Sequence, residues 1–204
     1  CFKLENAATT PRGYQENILL KINGKLGGQN NVIDTRFLQR LPIDHAKTMV
    51  LGVDVNHPSD LEHIHSSIAS MVASMDPMFS NYEVNMRVQK RDCDEIVTEL
   101  DVMMEELLHE YARRNHHYPA NIFVFRDGVS EGQFQKLVDI EIPQVCRMVE
   151  KVSKSSKVTW LVIQKRHHAR FVLQNPNTTG RRPTFNVPSG TVVVGMIVEP
   201  NYPT

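Results

Sequence analysis

The sequence predicts an α/β fold, a mixed sheet flanked by helices. Three observations carry this expectation. Apolar runs of strand length recur along the chain, segments with helical spacing separate the later runs, and the order reads three strands, helix, strand, helix, strand, strand. Strands that enter a sheet by helical crossovers place their carboxyl ends where chemistry is expected.

Residues 12–26 have a helical pattern that stops at Gly27-Gly28, a sensible helix end. A connector through Asn30-Asn31 and Leu41-Pro42-Ile43 leads to residues 47–55, a short apolar run that predicts a strand buried on both faces. A second strand is expected over residues 66–75. A third is expected over residues 82–89, where Tyr82, Val84, Met86 and Val88 alternate with polar residues and predict one dry face. Between residues 95 and 114 the apolar positions Ile96, Leu100, Met103, Leu107 and Tyr111 recur at helical spacing. Residues 121–125 predict a strand ending at Arg126-Asp127-Gly128. Ser130 and Gln133 then form a capping box that opens a helix over residues 134–149, which Pro143 kinks or restarts. Strands over residues 158–164 and 191–198 follow, separated by a polar loop holding Asn175-Pro176-Asn177 and Gly180-Arg181-Arg182-Pro183. No internal repeat or low-complexity segment is present.

With 41% hydrophobic and 23% charged residues, the 204-residue chain has an ordinary globular composition. No stretch approaches the roughly 18 apolar residues of a membrane helix, and the first residues do not read as a signal peptide, so a soluble intracellular protein without membrane contact is expected. Three scattered cysteines argue against a disulfide framework or a zinc site. Basic and acidic residues balance at 23 each, so affinity for nucleic acid must come from local clusters.

Two aspartates stand out. Asp54 interrupts an apolar strand and Asp127 ends another, and a carboxylate so placed is expensive unless it binds something. Brought together, they could share Mg²⁺ or Mn²⁺ ions, which favour oxygen ligands and serve phosphodiester hydrolysis. The alternatives on spacing alone are that Asp54 pairs with a cation such as His57 and that Asp127 is a turn residue.

The blocks LGVDVNHP at 51–58, SSIASMVASMD at 66–76, RDGVSEGQF at 126–134 and QKRHHARF at 164–171, in this order, resemble the Piwi domain of Argonaute proteins. ENILLKINGKLGG at 16–28 resembles the segment that ends the preceding Mid domain. The resemblance divides the chain into 1–44, the end of the Mid domain with a linker, and 45–204, a partial Piwi domain truncated at its C-terminus. It implies an RNase H-like fold that binds a small guide RNA and a target RNA. In the full-length parent it implies a guide-dependent endoribonuclease that cuts the paired target by metal-dependent hydrolysis and serves gene silencing, in cytoplasm or nucleus. Asp54 and Asp127 match catalytic metal ligands, and Glu95 is the best match to a catalytic glutamate delivered by a loop, with Asp92 and Asp94 as nearby rivals. The family's cutting members carry a fourth metal-site histidine or aspartate farther along, and the sequence up to Thr204 holds no counterpart.

By the same resemblance, Lys21 and Lys25 match lysines that grip the guide's 5′-phosphate, and their spacing of four puts both on one helix face with Asn17. Lys165 and Arg166 match residues that contact the guide backbone; Arg170 lies in the same cluster. Such contacts position a strand without reading its sequence. Without the resemblance these groups read as solvated surface charge, and Arg181-Arg182 carries no assignment. The alternative function is a guide-binding silencing module that recruits silencing-complex proteins and does not cut.

Overall fold

The computed structural model describes residues 13–57, 66–89, 95–164, 171–177 and 184–193. The chain divides into two compact units, residues 1–164 and 165–204. In the first unit, α1 (Tyr14–Lys25) is followed by the short turn α2 (Thr35–Leu38), and a 3₁₀ turn (His45–Lys47) feeds β1 (Thr48–Asn56). Then come β2 (Ile68–Ser74), β3 (Tyr82–Val88), α3 (Leu100–Asn115) and β4 (Asn121–Asp127). A 3₁₀ turn (Glu131–Gln133), α4 (Phe134–Lys136), a π-helical turn (Leu137–Glu141) and α5 (Ile142–Val152) lead to β5 (Lys157–Ile163).

These strands make one sheet in the order β3-β2-β1-β4-β5. The pairs β1–β2 and β2–β3 are antiparallel, whereas β1–β4 and β4–β5 are parallel. Parallel neighbours need a crossover connection, which the helical segments between β4 and β5 supply.

The core lies on one face of the sheet. Met49, Leu51 and Val53 of β1, Ala69 and Met71 of β2, and Ile122 and Val124 of β4 pack against Met103, Met104, Leu107 and Leu108 of α3 and Val145 and Val149 of α5. Tyr111 closes one end, its hydroxyl donating to the Ala46 carbonyl at 3.3 Å, and burial pushes its phenol up to about 12. The helical period thus places the predicted apolar positions of α3 on the dry side.

Several expectations are corrected. β1 is not dry on both faces: from Gly52 onward its burial alternates, leaving Gly52, Asp54 and Asn56 on the open side. On β3 the apolar row is the exposed one, with Met86 62% and Val88 72% accessible. The polar row faces α3 instead, where Arg87 pairs with Glu106 at 2.7 Å and Glu83 with Arg114. Charge complementarity with the helix decides the orientation of this edge strand. α3 begins at Leu100 rather than near residue 95, because the backbone of residues 95–97 is engaged elsewhere.

The capping box at Ser130 and Gln133 is present. Pro143, lacking a backbone donor, stands at the start of α5 just after the π-helical turn. In the second unit, β6 (Val172–Asn177) and β7 (Thr184–Asn186) form an antiparallel hairpin, so the stretch predicted as a polar loop at Asn175-Pro176-Asn177 is strand. A two-stranded hairpin has only edge strands, where proline is tolerated. Of the strand expected over residues 191–198, the first three residues have no regular structure and the rest lies outside the described residues. Among the described residues no helix is long and apolar enough to cross a membrane.

Removing a fully buried side chain from this core leaves a void, so Leu108→Ala is expected to lower unfolding free energy by about 2–5 kcal/mol. Val102→Ala, on the exposed side of α3, should stay within about 0.5 kcal/mol. Urea unfolding of the two variants checks the difference.

Candidate active site

The parallel register between β1 and β4 runs from Thr48 opposite Asn121 to Val53 opposite Arg126. Each strand then reaches an aspartate, Asp54 on one and Asp127 on the other, so the two acids stand at neighbouring carboxyl ends of the sheet. Gly128 follows with φ +86°, a left-handed conformation that turns the chain sharply after Asp127. The Asp127 carboxylate accepts the Gly128 amide at 3.0 Å.

Glu95 reaches the same place from the segment before α3. A methyl group placed on Gly128 would stand 3.5 Å from Asp54 Oδ1 and 3.6 Å from Glu95 Oε2, so both oxygens converge on one point beside the Asp127 turn. The other Glu95 oxygen, Oε1, is held by His57 Nε2 at 2.8 Å, and His57 Nδ1 meets Ser67 Oγ at 2.8 Å. A neutral ring that donates from Nε2 to Glu95 accepts the Ser67 hydroxyl proton at Nδ1, and a protonated ring donates at both nitrogens. Glu95 therefore uses one oxygen for orientation and leaves the other near Gly128, which Asp54 Oδ1 also approaches. His57 serves Glu95, which replaces the simpler alternative that it neutralises Asp54.

Beneath this arrangement lies a fully buried ion pair. Arg126 Nε and Nη2 bind the two carboxylate oxygens of Glu141 at 3.0 and 3.1 Å, and both side chains are 0% exposed. Arg126 also donates to the Asp127 carbonyl at 2.5 Å and to the Glu95 carbonyl, while Glu141 Oε1 accepts the Val97 amide at 2.8 Å. One guanidinium–carboxylate pair thus ties together the end of β4, the Glu95 segment and the crossover helix. Its two-pronged geometry supplies the direction that a point charge lacks.

This pair is not among the residues expected from the sequence, although the sequence carries a signal for it. Arg126 shares strand parity with the buried Ile122 and Val124, and Glu141 sits in the helical row Leu137, Glu141, Val145. A charge in each dry row calls for a partner. Ser67 gave no signal on its own.

The donor set consists of hard carboxylate oxygens, which suits Mg²⁺ or Mn²⁺ in chemical type. Among the described residues, no group of three or more His, Cys, Asp and Glu side chains is placed so that it could hold a metal ion. Lys21 and Lys25 lie exposed on α1 with Asn17. Lys165, Arg166 and Arg170 lie outside the described residues, as do Asp92 and Asp94.

A family profile described as Piwi domain matches residues 1–203. The chain is 39% identical over 194 residues to protein argonaute 18 of Oryza sativa subsp. japonica, covering 92% of this chain and 17% of that protein. It is 38% identical to argonaute 2 of the same plant, covering 92% of this chain and 18% of the relative, so it spans under a fifth of either. Among solved structures, Kluyveromyces polysporus Argonaute with a guide RNA aligns over 91% of this chain and 22% of its own, with 29% identity and TM-score 0.75. The Mid-Piwi domains of N. crassa QDE-2 align over 76% of this chain and 44% of theirs, with 31% identity and TM-score 0.59.

An L-residue forced into the left-handed region at position 128 loses roughly 1–2 kcal/mol, so Gly128→Ala is expected to destabilise the protein by that amount. Urea unfolding measures it, and a variant as stable as wild type would contradict the strained turn.

Proposed function

The chain belongs to the Argonaute family and carries its RNase H-like Piwi fold, and on that premise we propose that it serves small-RNA-guided silencing as the centre that cuts guide-paired target RNA. The observation that carries this reading is the convergence of Asp54 Oδ1 and Glu95 Oε2 on one point beside the turn that follows Asp127. A carboxylate cluster at the open end of a sheet can hold divalent cations against a phosphodiester.

In this reading Asp54 and Asp127 hold Mg²⁺ or Mn²⁺, and Glu95 completes the environment with its free oxygen. The bound cation supplies Lewis-acid activation of water and stabilisation of the leaving oxygen. His57 and Ser67 keep the Glu95 carboxylate in one orientation. The open face around Asp54 leaves room for a nucleic-acid backbone to approach. Lys21 and Lys25, one helical turn apart, hold the guide's 5′-phosphate as point charges, and Lys165 and Arg166 hold its backbone. Base pairing to the guide chooses the target, so the protein need not read sequence. The partner RNA found on the similar K. polysporus protein supports a guide strand here.

A second reading, a guide-binding silencing module that acts by recruiting partner proteins without cutting, is favoured by the finding that no three His, Cys, Asp or Glu side chains among the described residues are placed to hold a metal ion. The two separate in the full-length protein. Asp54→Ala and Asp127→Ala are each expected to slow target cleavage by about 100-fold or more while guide binding persists. Cleavage unchanged by both substitutions, or absent from wild type, would favour the second reading. Lys21→Ala and Lys25→Ala should each lower the preference for a 5′-phosphorylated over a 5′-hydroxyl guide by roughly tenfold, measured by competition binding.

A further inference from the structure

We propose that Glu141 is a positioning residue for the acid site, acting through Arg126 and the backbone of residues 95–97. Glu141 touches neither Asp54 nor the carboxylate of Glu95. It grips the Arg126 guanidinium with both oxygens and shares Oε1 with the Val97 amide, and Arg126 in turn holds the carbonyls of Glu95 and Asp127. Three backbone points around two of the three acids are therefore fixed by one ion pair, one by Glu141 directly and two through the guanidinium it grips.

The same volume filled with apolar side chains would hold the fold as well or better, because desolvating an ion pair offsets its attraction. What an apolar pair cannot do is direct hydrogen bonds to chosen carbonyls and an amide. Residues 95–97 have no regular secondary structure, so their orientation depends on those bonds. Glu141 also closes a π-helical turn, a rare interruption that recurs at functional positions, and Pro143 two residues on is compatible with it. The helix is thus irregular where it delivers this side chain.

The metal arm of this inference rests on the proposed cleavage reading; the backbone arm does not. The experiment uses the full-length protein loaded with a 5′-phosphorylated guide. Glu141→Gln keeps the shape and removes the charge, and a paired variant, Arg126→Met with Glu141→Leu, removes both charges without stranding one. Two quantities are read: hydrogen exchange at the amides of residues 95–97, and Mn²⁺ affinity by electron paramagnetic resonance. Both variants are expected to bind guide as wild type does, to exchange faster at residues 95–97, and to bind Mn²⁺ about 10–100-fold more weakly. A folded variant that keeps wild-type exchange there, or wild-type Mn²⁺ affinity, overturns the proposal. If the paired variant unfolds as readily as a broken pair, Glu141 serves stability alone and the proposal is likewise overturned. Should wild type bind Mn²⁺ no better than Asp54→Ala protein, the metal reading fails, and exchange at residues 95–97 alone decides the role of Glu141.

Discussion

The contact between Arg126 and Glu141 is the constraint around which the site end of the domain is organised. A charge pair sealed from water is tolerable only if nearly every donor and acceptor finds a partner, and here they do so on the main chain. Removing either partner alone would strand a buried charge, at about 3–5 kcal/mol. The late start of α3 follows from the same demand. The Val97 amide donates to Glu141, and the Glu95 carbonyl accepts from Arg126, so that stretch gives its hydrogen bonds to distant elements.

The sheet contributes a second constraint, the adjacency of β1 and β4. Two parallel neighbours release their carboxyl ends on the same side, so the last residue of β4 and a residue near the end of β1 are neighbours without any long loop to bring them together. Only the glutamate needs a delivered segment, and that segment is the one the buried pair ties down. Parallel strands place the two aspartates, and side-chain hydrogen bonds place the glutamate.

Much of this was legible in the residues. The strand-length runs, the capping box at Ser130 and Gln133 and the interruption at Pro143 follow from local rules of backbone geometry, and these survive tertiary packing. Asp54 and Asp127 stood out as acids at strand positions. What stayed hidden depended on partners far along the chain. The outward turn of the apolar row on β3 reflects ion pairs with α3, 19 and 31 positions away for Arg87–Glu106 and Glu83–Arg114. The Asn175-Pro176-Asn177 strand was hidden for a different reason: turn-favouring residues are also tolerated on hairpin edges.

The alternation of β1 has a consequence for length variation. Met49, Leu51 and Val53 point into the core while Gly52 and Asp54 point out, and the alternation has a period of two. Inserting or deleting one residue between Val50 and Asp54 would invert the parity, driving the carboxylate beneath the helices or forcing a bulge to absorb the slip. A change of two residues would leave the acid on its proper side. The ladder therefore imposes an arithmetic filter on indels, tolerating even steps and rejecting odd ones, independently of which amino acids are gained or lost.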